Sequence, residues 1–494
     1  MNSKINFLYF LTVLLCATTN VLSQEKSFEY ILATNNDELA YGIYEDTIEH
    51  VYYITGRTQP TGINHKKALF IKLSNEGVLL DSALLVDSLQ SYFMFDILDG
   101  FSDTLLFSGL KYDTGYPIQS RINPSLIFYL CNKNLEPIDT IQFPLPANHA
   151  YFLSYIRRLS NGKYIELGAL VDTIGNPTPM FYLYEFSPKL DSLQFVFWPD
   201  SLGHGSDIKL QKDGNYWALI NGFPGWKPHY WVLDTNYNVL AKDKVPEYLS
   251  DPFGLKWDSD STFYVIGQGG GDNDNDIGIM RQLQTDYNDP DKNIFSSWGT
   301  DSIDYPAIKG GLDFNNKDSI FIGGMALWWG DFWEVSNWFV VLQTDSLLNL
   351  RWERFYGGDA YYTMWKLIAT SDGGCIAAGS RYDYKNTNER QEDIYVLKLN
   401  KEGLIVGNST PPQIQMQEAI VYPNPGTNYI KVRIAEQYPN STFELYDMAG
   451  NHVLTKSIVG KWGEIETSFL LSGTFVYRIF NDDGLSETGK WVKQ

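Results

Sequence analysis

A unit of about 50 residues recurs along the chain and constrains its fold more than any other feature. Its clearest copy, residues 352–406, holds four short apolar runs separated by turn signals at 372–374 and 401–403. Runs of this length joined by glycine-containing turns predict four antiparallel strands connected by hairpins. One such sheet cannot bury both of its faces, so successive copies must pack on one another.

Seven copies of the second strand can be recognised by an apolar run that ends, in all but one copy, on glycine. The runs lie at residues 51–56, 105–109, 164–168, 216–221, 263–267, 320–323 and 375–379. Four strands per unit at a period near 50 residues are typical of a β-propeller. We therefore predict an all-β protein with a seven-bladed β-propeller. The count is open by one, because the fourth copy ends on Asn221 in place of glycine.

A further apolar run, residues 28–33, precedes the first copy and has no unit of its own. We predict that it joins the last sheet as a closing strand, because such closure covers an otherwise unpaired sheet edge. The alternative is that residues 404–406 complete the last sheet alone and the N-terminal run packs elsewhere.

The two ends of the chain differ from the repeats. Residues 1–23 combine Lys4, an apolar stretch and small residues, which predicts a secretory signal peptide. Residues 24–406 hold the repeats, and the polar, proline-containing residues 407–418 are typical of a linker. Residues 419–494 carry further short strands and turns, which predict a small C-terminal β-sandwich.

The composition limits the partners that the chain can have. A formal net charge of -21 and a sequence pI near 4.7 disfavour nucleic acid and anionic membrane surfaces. No segment after the signal peptide is long and apolar enough to span a membrane, and we expect an exported monomer. Cys131 and Cys375 lie in distant copies, which predicts two separate buried thiols.

Four short motifs occur in a fixed order near the C-terminus. They are YPNPG at 422–426, LYDMAG at 445–450, LSGTFVYR at 471–478 and GKWVK at 489–493. This segment resembles the C-terminal sorting domain (type A) of proteins that the type IX secretion system of Bacteroidetes exports. Gly426 and Phe475 stand where that family usually has alanine and tyrosine.

The resemblance implies that the type IX machinery is a partner and that the chain reaches the cell surface or the medium. It also implies removal of the sorting domain near the linker. The repeats, especially 356–358 and 370–374, are similar to Bacteroidetes surface propellers, which implies a fold and no reaction. The sorting signal that the resemblance assigns comprises Tyr422, Pro423, Asn424, Pro425, Asp447, Gly450, Gly473, Lys490 and Lys493.

Motifs of the common catalytic classes are missing from the sequence. It has no Gly-x-Ser-x-Gly elbow, no His-Glu-x-x-His helix and no phosphate loop, and its histidines lack metal-ligand spacing. We therefore expect a binding or interaction module for glycan or protein, without catalysis and without a cofactor. One alternative is a secreted hydrolase of polysaccharide or peptide, with paired carboxylates at the mouth of the propeller channel. Another is a structural surface component with no discrete ligand site.

One acidic loop is a candidate calcium site. Asp272 and Asp274 belong to the densest cluster of oxygen ligands in the chain. Ile277 stands where a calcium loop of the known type needs glycine, and Asp276 begins a third strand as Asp393 does in another copy. We favour a solvated loop over a calcium site.

Aromatic residues are concentrated in loops that a propeller places on one face. Loops from second to third strands and from fourth to next first strands emerge there together. Aromatic planes beside carboxylates and amides suit sugar rings or peptide side chains. The alternative is that these rings pack down between the sheets. The candidate ligand-binding residues are Trp226, His229, Trp328, Trp329, Asp331, Trp333, Tyr361 and Tyr362.

Overall fold

The structure is a computed structural model that consists almost wholly of β-strands in its described part. One short 3-10 helix, Pro290–Lys292, is found there as well. The residues that the structure describes are 26–60, 65–87, 89–101, 103–113, 124–146, 149–172, 179–222, 227–244, 249–269, 275–286, 289–300, 303–328, 334–386, 391–405, 419–422, 426–434, 440–448, 450–460, 462–481 and 486–493.

After a first strand β1 (Phe28–Leu32), the strands up to residue 399 form consecutive antiparallel sheets, numbered here in chain order. Each has four strands except sheet 6, whose first strand is divided into two short ones. Sheet 1 contains β2 (Asn36–Asp46), β3 (Val51–Pro60), β4 (Lys67–Ser74) and β5 (Leu79–Leu85). Sheet 2 contains β6 (Gln90–Asp99), β7 (Leu105–Asp113), β8 (Ser125–Cys131) and β9 (Pro137–Pro144). Sheet 3 contains β10 (His149–Arg158), β11 (Tyr164–Asp172), β12 (Pro179–Phe186) and the first part of β13 (Ser192–Leu210).

The second part of β13 continues into the next sheet as its first strand. Sheet 4 adds β14 (Tyr216–Gly222), β15 (Lys227–Leu233) and β16 (Val239–Lys244). Sheet 5 contains β17 (Ser250–Trp257), β18 (Thr262–Gly269), β19 (Asp276–Leu283) and β20 (Ile294–Trp298). Sheet 6 contains the short β21 (Tyr305–Pro306) and β22 (Leu312–Asn316), then β23 (Ser319–Ala326), β24 (Trp338–Thr344) and β25 (Leu350–Gly357). Sheet 7 contains β26 (Tyr361–Ala369), β27 (Cys375–Tyr382), β28 (Asp393–Leu399) and β1.

The sheets stack face to face, which is why their inner strands are continuous apolar runs. Every residue of β14 and of β18 is buried, whereas most residues of the outer strands β5 and β9 are exposed. Between sheets 1 and 2, the buried ring of Phe70 lies 4.3 Å from that of Phe107 and 4.9 Å from that of Tyr129, centroid to centroid. Strands that are covered on both faces need apolar side chains on both.

The closing strand predicted from the sequence is present. β1 pairs antiparallel with β28 along its whole length, from Phe28 opposite Lys398 to Leu32 opposite Ile394. Sheet 7 then packs on sheet 1 through a shared apolar cluster that includes Phe28, Ile54 and Val396. The last sheet thus rests on the first, and this ring of four-stranded sheets is a β-propeller.

The first strands share a β-bulge opposite the end of the second strand. Their registers shift between Ala40 and Gly42 in sheet 1 and between Met94 and Asp96 in sheet 2, with equivalent shifts in β10, β13, β17 and β26. The bulge brings a backbone carbonyl against the second strand, where a Cβ on Gly56 would collide with the Leu39 carbonyl. This close approach explains the glycine that recurs at the end of the second-strand runs.

In sheet 6 the bulge position is occupied by a larger insertion. Residues 307–311, called the channel loop below, separate β21 from β22 and run beside β26. The backbone N–H of Ile308 donates to the Met364 carbonyl at 3.1 Å, and that of Lys309 donates to the Trp365 carbonyl at 2.7 Å. These hydrogen bonds anchor the loop to sheet 7 and direct Lys309 across the channel toward sheets 2 and 3.

The C-terminal segment forms two further sheets around one apolar core. Its strands are β29 (Ala419–Tyr422), β30 (Tyr429–Ile434), β31 (Asn440–Asp447), β32 (His452–Val459), β33 (Trp462–Glu466), β34 (Gly473–Phe480) and β35 (Ser486–Lys493). The strand orders are β29-β30-β33 and β32-β31-β34-β35. Ile430 and Val432 from the smaller sheet pack with Phe443 and the fully buried Trp491 from the larger one.

Cys131 and Cys375 are both buried and free, as predicted. Burial raises the pKa of each thiol to about 12, so both stay protonated and unreactive. Within the described ranges, none of the helical segments could span a membrane.

Candidate functional site

The structure describes only part of the ligand-binding set predicted from the sequence. His229 is half-buried on β15, where it pairs with Ile220 of β14. The calcium candidates Asp272 and Asp274 are not among the described residues. Those that are described contain no group of three or more His, Cys, Asp or Glu that could hold a metal ion. Trp226, Trp329, Asp331, Trp333, Asp272 and Asp274 lie outside the described residues.

Tyr361 and Tyr362 are buried, with 1% and 3% of their surface exposed. The Tyr362 hydroxyl donates to Asp359 at 2.5 Å, and its ring lies 5.0 Å from that of Tyr395. The Asn337 side-chain amide also donates to the Tyr362 carbonyl at 2.9 Å. These contacts hold the start of β26 between two sheets, which is the packing alternative stated for the aromatic loops.

Trp328 belongs to a row of three rings on the predicted face. Its half-buried indole lies 4.5 Å from the ring of Tyr305, with 30° between the planes. The Tyr305 ring is 5.2 Å from that of Phe253, at the start of β17. The backbone N–H of Trp328 donates to the Ile303 carbonyl at 2.9 Å, which fixes the loop after β23. Phe253, Tyr305 and Trp328 are called the aromatic row below.

A buried polar cluster lies beside this row. It consists of His204 on β13, Asn221 on β14 and Asp251 on β17. The Asn221 side-chain nitrogen lies 3.2 Å from His204 Nε2 and 3.4 Å from Asp251 Oδ1. Ser206 approaches His204 Nδ1 at 3.5 Å and donates to the Pro252 carbonyl at 3.1 Å. Two neighbouring sheets, 4 and 5, therefore meet through these side chains.

The polar cluster and the aromatic row are adjacent. Asp251 and Phe253 are two residues apart at the start of β17. The charge of Asp251 also contributes, after burial, to raising the pKa of Tyr305. First strands begin and second strands end at this edge of the sheets, so both groups lie at the mouth of the channel on the loop face.

Burial controls the protonation of the polar cluster. It lowers the pKa of His204 to about 4, so the imidazole is neutral at pH 7. It raises the pKa of Asp251 to about 6, although the Asn221 hydrogen bond and the charge of Lys227 oppose this shift. The site can therefore offer a neutral ring, an amide and a carboxyl that changes its charge near neutral pH.

One amide atom of the cluster has no protein partner among the described residues. Asn221 is 1% exposed, and its side-chain oxygen accepts no hydrogen bond. If the amide were turned by 180°, its nitrogen would be left without an acceptor instead, so the deficit is independent of the amide orientation. A buried amide atom without a partner costs about 1 to 3 kcal/mol, and a ligand hydroxyl could satisfy it.

The sequence did not identify His204, Asn221 or Asp251 as site residues, although one irregularity of the repeat pointed to Asn221. The fourth copy of the repeat departs from the glycine ending at Asn221. The strand register shows that Ile220, one residue earlier, occupies the position of the closing glycine in the other copies, because it lies opposite the bulge. In this sheet the glycine is on the other strand, as Gly205, which pairs with Ile220. Asn221 therefore does not occupy the repeated glycine position, and it pairs with His204 on the neighbouring strand.

Asp96 and Asp207, deeper in the channel than Asp251, are each engaged with a cation. Lys309 Nζ lies 2.9 Å from Asp96, and Arg157 donates two hydrogen bonds to Asp207 at 2.8 and 3.1 Å. An unengaged pair of carboxylates, which glycoside hydrolysis needs, is therefore not found among them. These ion pairs join sheets of the propeller to one another, and we assign them to its stability and not to substrate binding.

Asp304, immediately before Tyr305, is a buried carboxyl that holds the neighbouring loop. Its Oδ1 accepts from the Thr300 hydroxyl and from the Leu327 N–H, each at 3.0 Å, and its Oδ2 accepts from the Thr300 N–H. Burial, with a smaller contribution from the charge of Asp276, raises its pKa to about 7. Because all its described contacts are within the loops, we assign Asp304 a structural role.

This pKa makes stability depend on pH. The unfolded carboxyl ionises near pH 4, so the contribution of Asp304 to the free energy of unfolding falls as the pH rises from about 4 to 7 and then levels off. We expect Asp304→Asn to remove this decrease in the free energy of unfolding. At about 1.4 kcal/mol per pKa unit, the decrease amounts to several kcal/mol. Urea unfolding of both proteins between pH 4 and 8 measures the difference. Asp139→Asn, on an exposed strand, should leave the profile unchanged; parallel curves for Asp304→Asn and wild type would contradict the assignment.

The sorting-signal residues are placed mainly at turns and strand ends of the C-terminal segment. Asp447 ends β31 and accepts from the backbone and side chain of Asn451, both at 2.8 Å, and Gly450 in the same turn has a positive φ of 85°. Gly473 begins β34. Lys490 and Lys493 lie on β35, and Tyr422 ends β29, while Pro423, Asn424 and Pro425 are outside the described residues.

The fold and these residues define an exported β-propeller protein. Residues 420–494 match the family described as the secretion system C-terminal sorting domain. The chain therefore carries the type IX sorting domain that its motifs predicted, which indicates export to the cell surface or secretion. Among proteins with curated descriptions, none matches the sequence.

Several solved structures resemble the chain at low identity. One is described as the extracellular domain of a hybrid two-component system from B. thetaiotaomicron, with 12% identity and a TM-score of 0.42; the match covers 95% of this chain but only 59% of that one. PorZ, a surface component of the type IX secretion system of Porphyromonas gingivalis, has 10% identity, a TM-score of 0.28 and coverages of 94% and 100%. An α-L-arabinanase of Penicillium chrysogenum in complex with arabinobiose has 8% identity, a TM-score of 0.43 and coverages of 77% and 99%.

Proposed function

We propose that this protein is a secreted or surface-attached seven-bladed β-propeller that binds a glycan and has no catalytic activity. In this proposal sheets 1 to 7 are the blades, residues 24–406 form the propeller and residues 407–418 are the linker. Residues 419–494 form a β-sandwich that directs export, and residues 1–23 are a signal peptide.

The observation that carries the binding proposal is the continuity of the aromatic row with the polar cluster. Trp328 and Tyr305 are half-buried rings, and Asn221 holds an amide atom without a protein partner beside them. Sugars present apolar C–H faces that stack on rings, and hydroxyls that both donate and accept hydrogen bonds. This combination matches the two halves of the site.

The proton states favour a neutral sugar at this site. The His204 imidazole is uncharged at pH 7, and Asp251 is the one carboxyl in the cluster. A hydroxyl can donate to the carboxylate or accept from the carboxylic acid, so binding survives across the pKa of Asp251. The aromatic loops that begin at residues 223 and 329 lie outside the described residues. In sequence they follow β14 and the Trp328 loop, and Trp226, Trp329 and Trp333 stay candidate ligand residues in this proposal.

A hydrolase is the second candidate, and one observation favours it. The pKa of Asp251, raised to about 6, would suit a general acid at the channel mouth. Glycoside hydrolysis needs a second carboxylate across the scissile bond. Since Asp304 is engaged by loop donors, the described residues offer no such second group near Asp251.

The test is a glycan array followed by titration calorimetry with the full chain and single variants. We expect Trp328→Ala and Asn221→Ala each to weaken binding at least tenfold, about 1.4 kcal/mol. Phe197→Ala, which removes an exposed ring from the outer part of sheet 3, should bind as wild type does.

Equal affinity in wild type and in both site variants would exclude this site, and an array with no bound glycan would exclude the glycan proposal. Hydrolysis is followed separately, by the appearance of reducing ends. Products that form with wild type and not with Asp251→Asn would establish the hydrolase instead.

A further inference from the structure

The centre of the channel contains more described cations than carboxylates. Three ion pairs cross it: Lys309 with Asp96 at 2.9 Å, Arg157 with Asp207 at 2.8 Å and Lys256 with Asp313 at 2.6 Å. Asp313 also accepts the Ala369 N–H at 3.0 Å, and Asp96 lies 3.4 Å from the Ile156 N–H. Asp207 accepts the Ile208 N–H at 2.7 Å, so each of these carboxylates is already shared between a cation and a backbone donor.

Lys366 on β26 is a fourth cation at the same level. Its Nζ donates to the Lys309 carbonyl at 3.2 Å and lies close to Gly310 of the channel loop. No described carboxylate forms an ion pair with it. Burial lowers the pKa of Lys366. The charge of Arg157 adds to this shift, and the more distant charges of Asp96, Asp313 and Asp207 oppose it. Lys366 and Arg157 in turn add to the effect of burial that lowers the pKa of Lys309 to about 8.

We propose that the channel binds a compact oxyanion, a carboxylate or a sulfate, at Lys366. The anion would balance the fourth positive charge of the described channel residues. It would also accept hydrogen bonds from the ammonium hydrogens of Lys366 that the Lys309 carbonyl does not accept. Arg157 adds a second attraction, because only part of its guanidinium is engaged by Asp207 and the Ile156 carbonyl. The inference is independent of the glycan site.

The position of these groups separates the two sites. Lys366 lies five residues after Tyr361, where β26 begins, so it is roughly 16 Å along the strand from the loop face. Arg157 and Lys256 lie one residue before the ends of β10 and β17. Their side chains are 26% and 39% exposed, so solvent reaches this level of the channel. The anion site therefore belongs to the hairpin end of the channel.

The experiment measures the thermal midpoint of the full chain against sodium sulfate at constant ionic strength, balanced with sodium chloride. We expect a saturable rise in wild type that Lys366→Gln weakens at least tenfold in apparent affinity. Lys212→Gln, which removes a lysine whose side chain is 86% exposed, should follow the wild-type curve. Sulfate also stabilises proteins generally, so the difference between the variants is the diagnostic quantity.

A parallel titration with sodium D-galacturonate distinguishes the source of the oxyanion. Saturation by galacturonate indicates the carboxylate of an acidic sugar, whereas saturation by sulfate alone indicates an inorganic anion. Identical, non-saturating curves for wild type and Lys366→Gln would overturn the proposal. If Lys366→Gln does not fold, anomalous density from selenate-soaked wild-type crystals decides it: density at Lys366 Nζ supports the site, and its absence there rejects it.

Discussion

Replacing Asp96 by alanine is expected to reduce the free energy of unfolding by about 3 to 5 kcal/mol, the usual cost of removing one partner from a buried ion pair. Lys309 is 1% exposed and enters the channel from sheet 6, whereas Asp96 belongs to sheet 2. The Lys309 ammonium also lies 4.7 Å from the ring of Phe95 and 4.8 Å from that of Tyr155. Without Asp96 it would keep these ring contacts but lose its anion.

Equilibrium unfolding in urea measures this cost, and an exposed ion pair supplies the control. Asp260→Ala removes the partner of Lys209 and Lys212 at the surface, where we expect a loss below about 1 kcal/mol. The double variant Asp96→Ala, Lys309→Met should recover part of the loss, because no unpaired charge then replaces the pair. A loss for Asp96→Ala no larger than that of the control would show that the channel pair does not join the sheets.

The fold was predictable from sequence where its signals are local. Apolar runs, turn residues and the glycine of the second strand repeat with each unit, so strand order and the closing role of β1 could be read from them. The channel loop gave no such signal. It interrupts the first strand of one sheet, and its principal contact joins Lys309 to Asp96 over 213 residues of sequence. Spacing alone cannot identify a contact of that range.

Of the candidate site, the sequence predicted only the face of the propeller on which it lies and one of its residues, Trp328. The polar cluster combines His204, Asn221 and Asp251, which are separated by 17 and 30 residues and belong to three strands. No motif links them, because two sheets must pack before they meet. Burial was equally hidden: Tyr362 and Trp328 lie in similar aromatic stretches, yet one is enclosed between sheets and the other keeps part of its ring exposed.

Deleting residues 26–33 is expected to destabilise the propeller by at least about 4 kcal/mol, from the loss of one buried aromatic side chain and several strand hydrogen bonds. β1 supplies the outer edge of sheet 7, and Phe28 packs 6.1 Å from the ring of Tyr52 in sheet 1. Tyr395 would also lose the carboxylate of Glu29, to which its hydroxyl donates at 2.5 Å. The bare edge of β28 then offers unpaired backbone groups to other chains.

Two measurements together test this closure. Urea unfolding should show the loss of stability, and light scattering should show association of the truncated chain that the intact chain lacks. Two single variants grade the effect: Phe28→Ala should cost about 3 kcal/mol or more, as for other buried phenylalanines, whereas Ile31→Ala at a side chain 45% exposed should cost below about 1 kcal/mol. A truncated chain that stays monomeric and unfolds at the wild-type urea concentration would mean that sheet 7 is complete without β1. The ring would then depend on the contacts of β26 and β27 with sheet 1 for its closure.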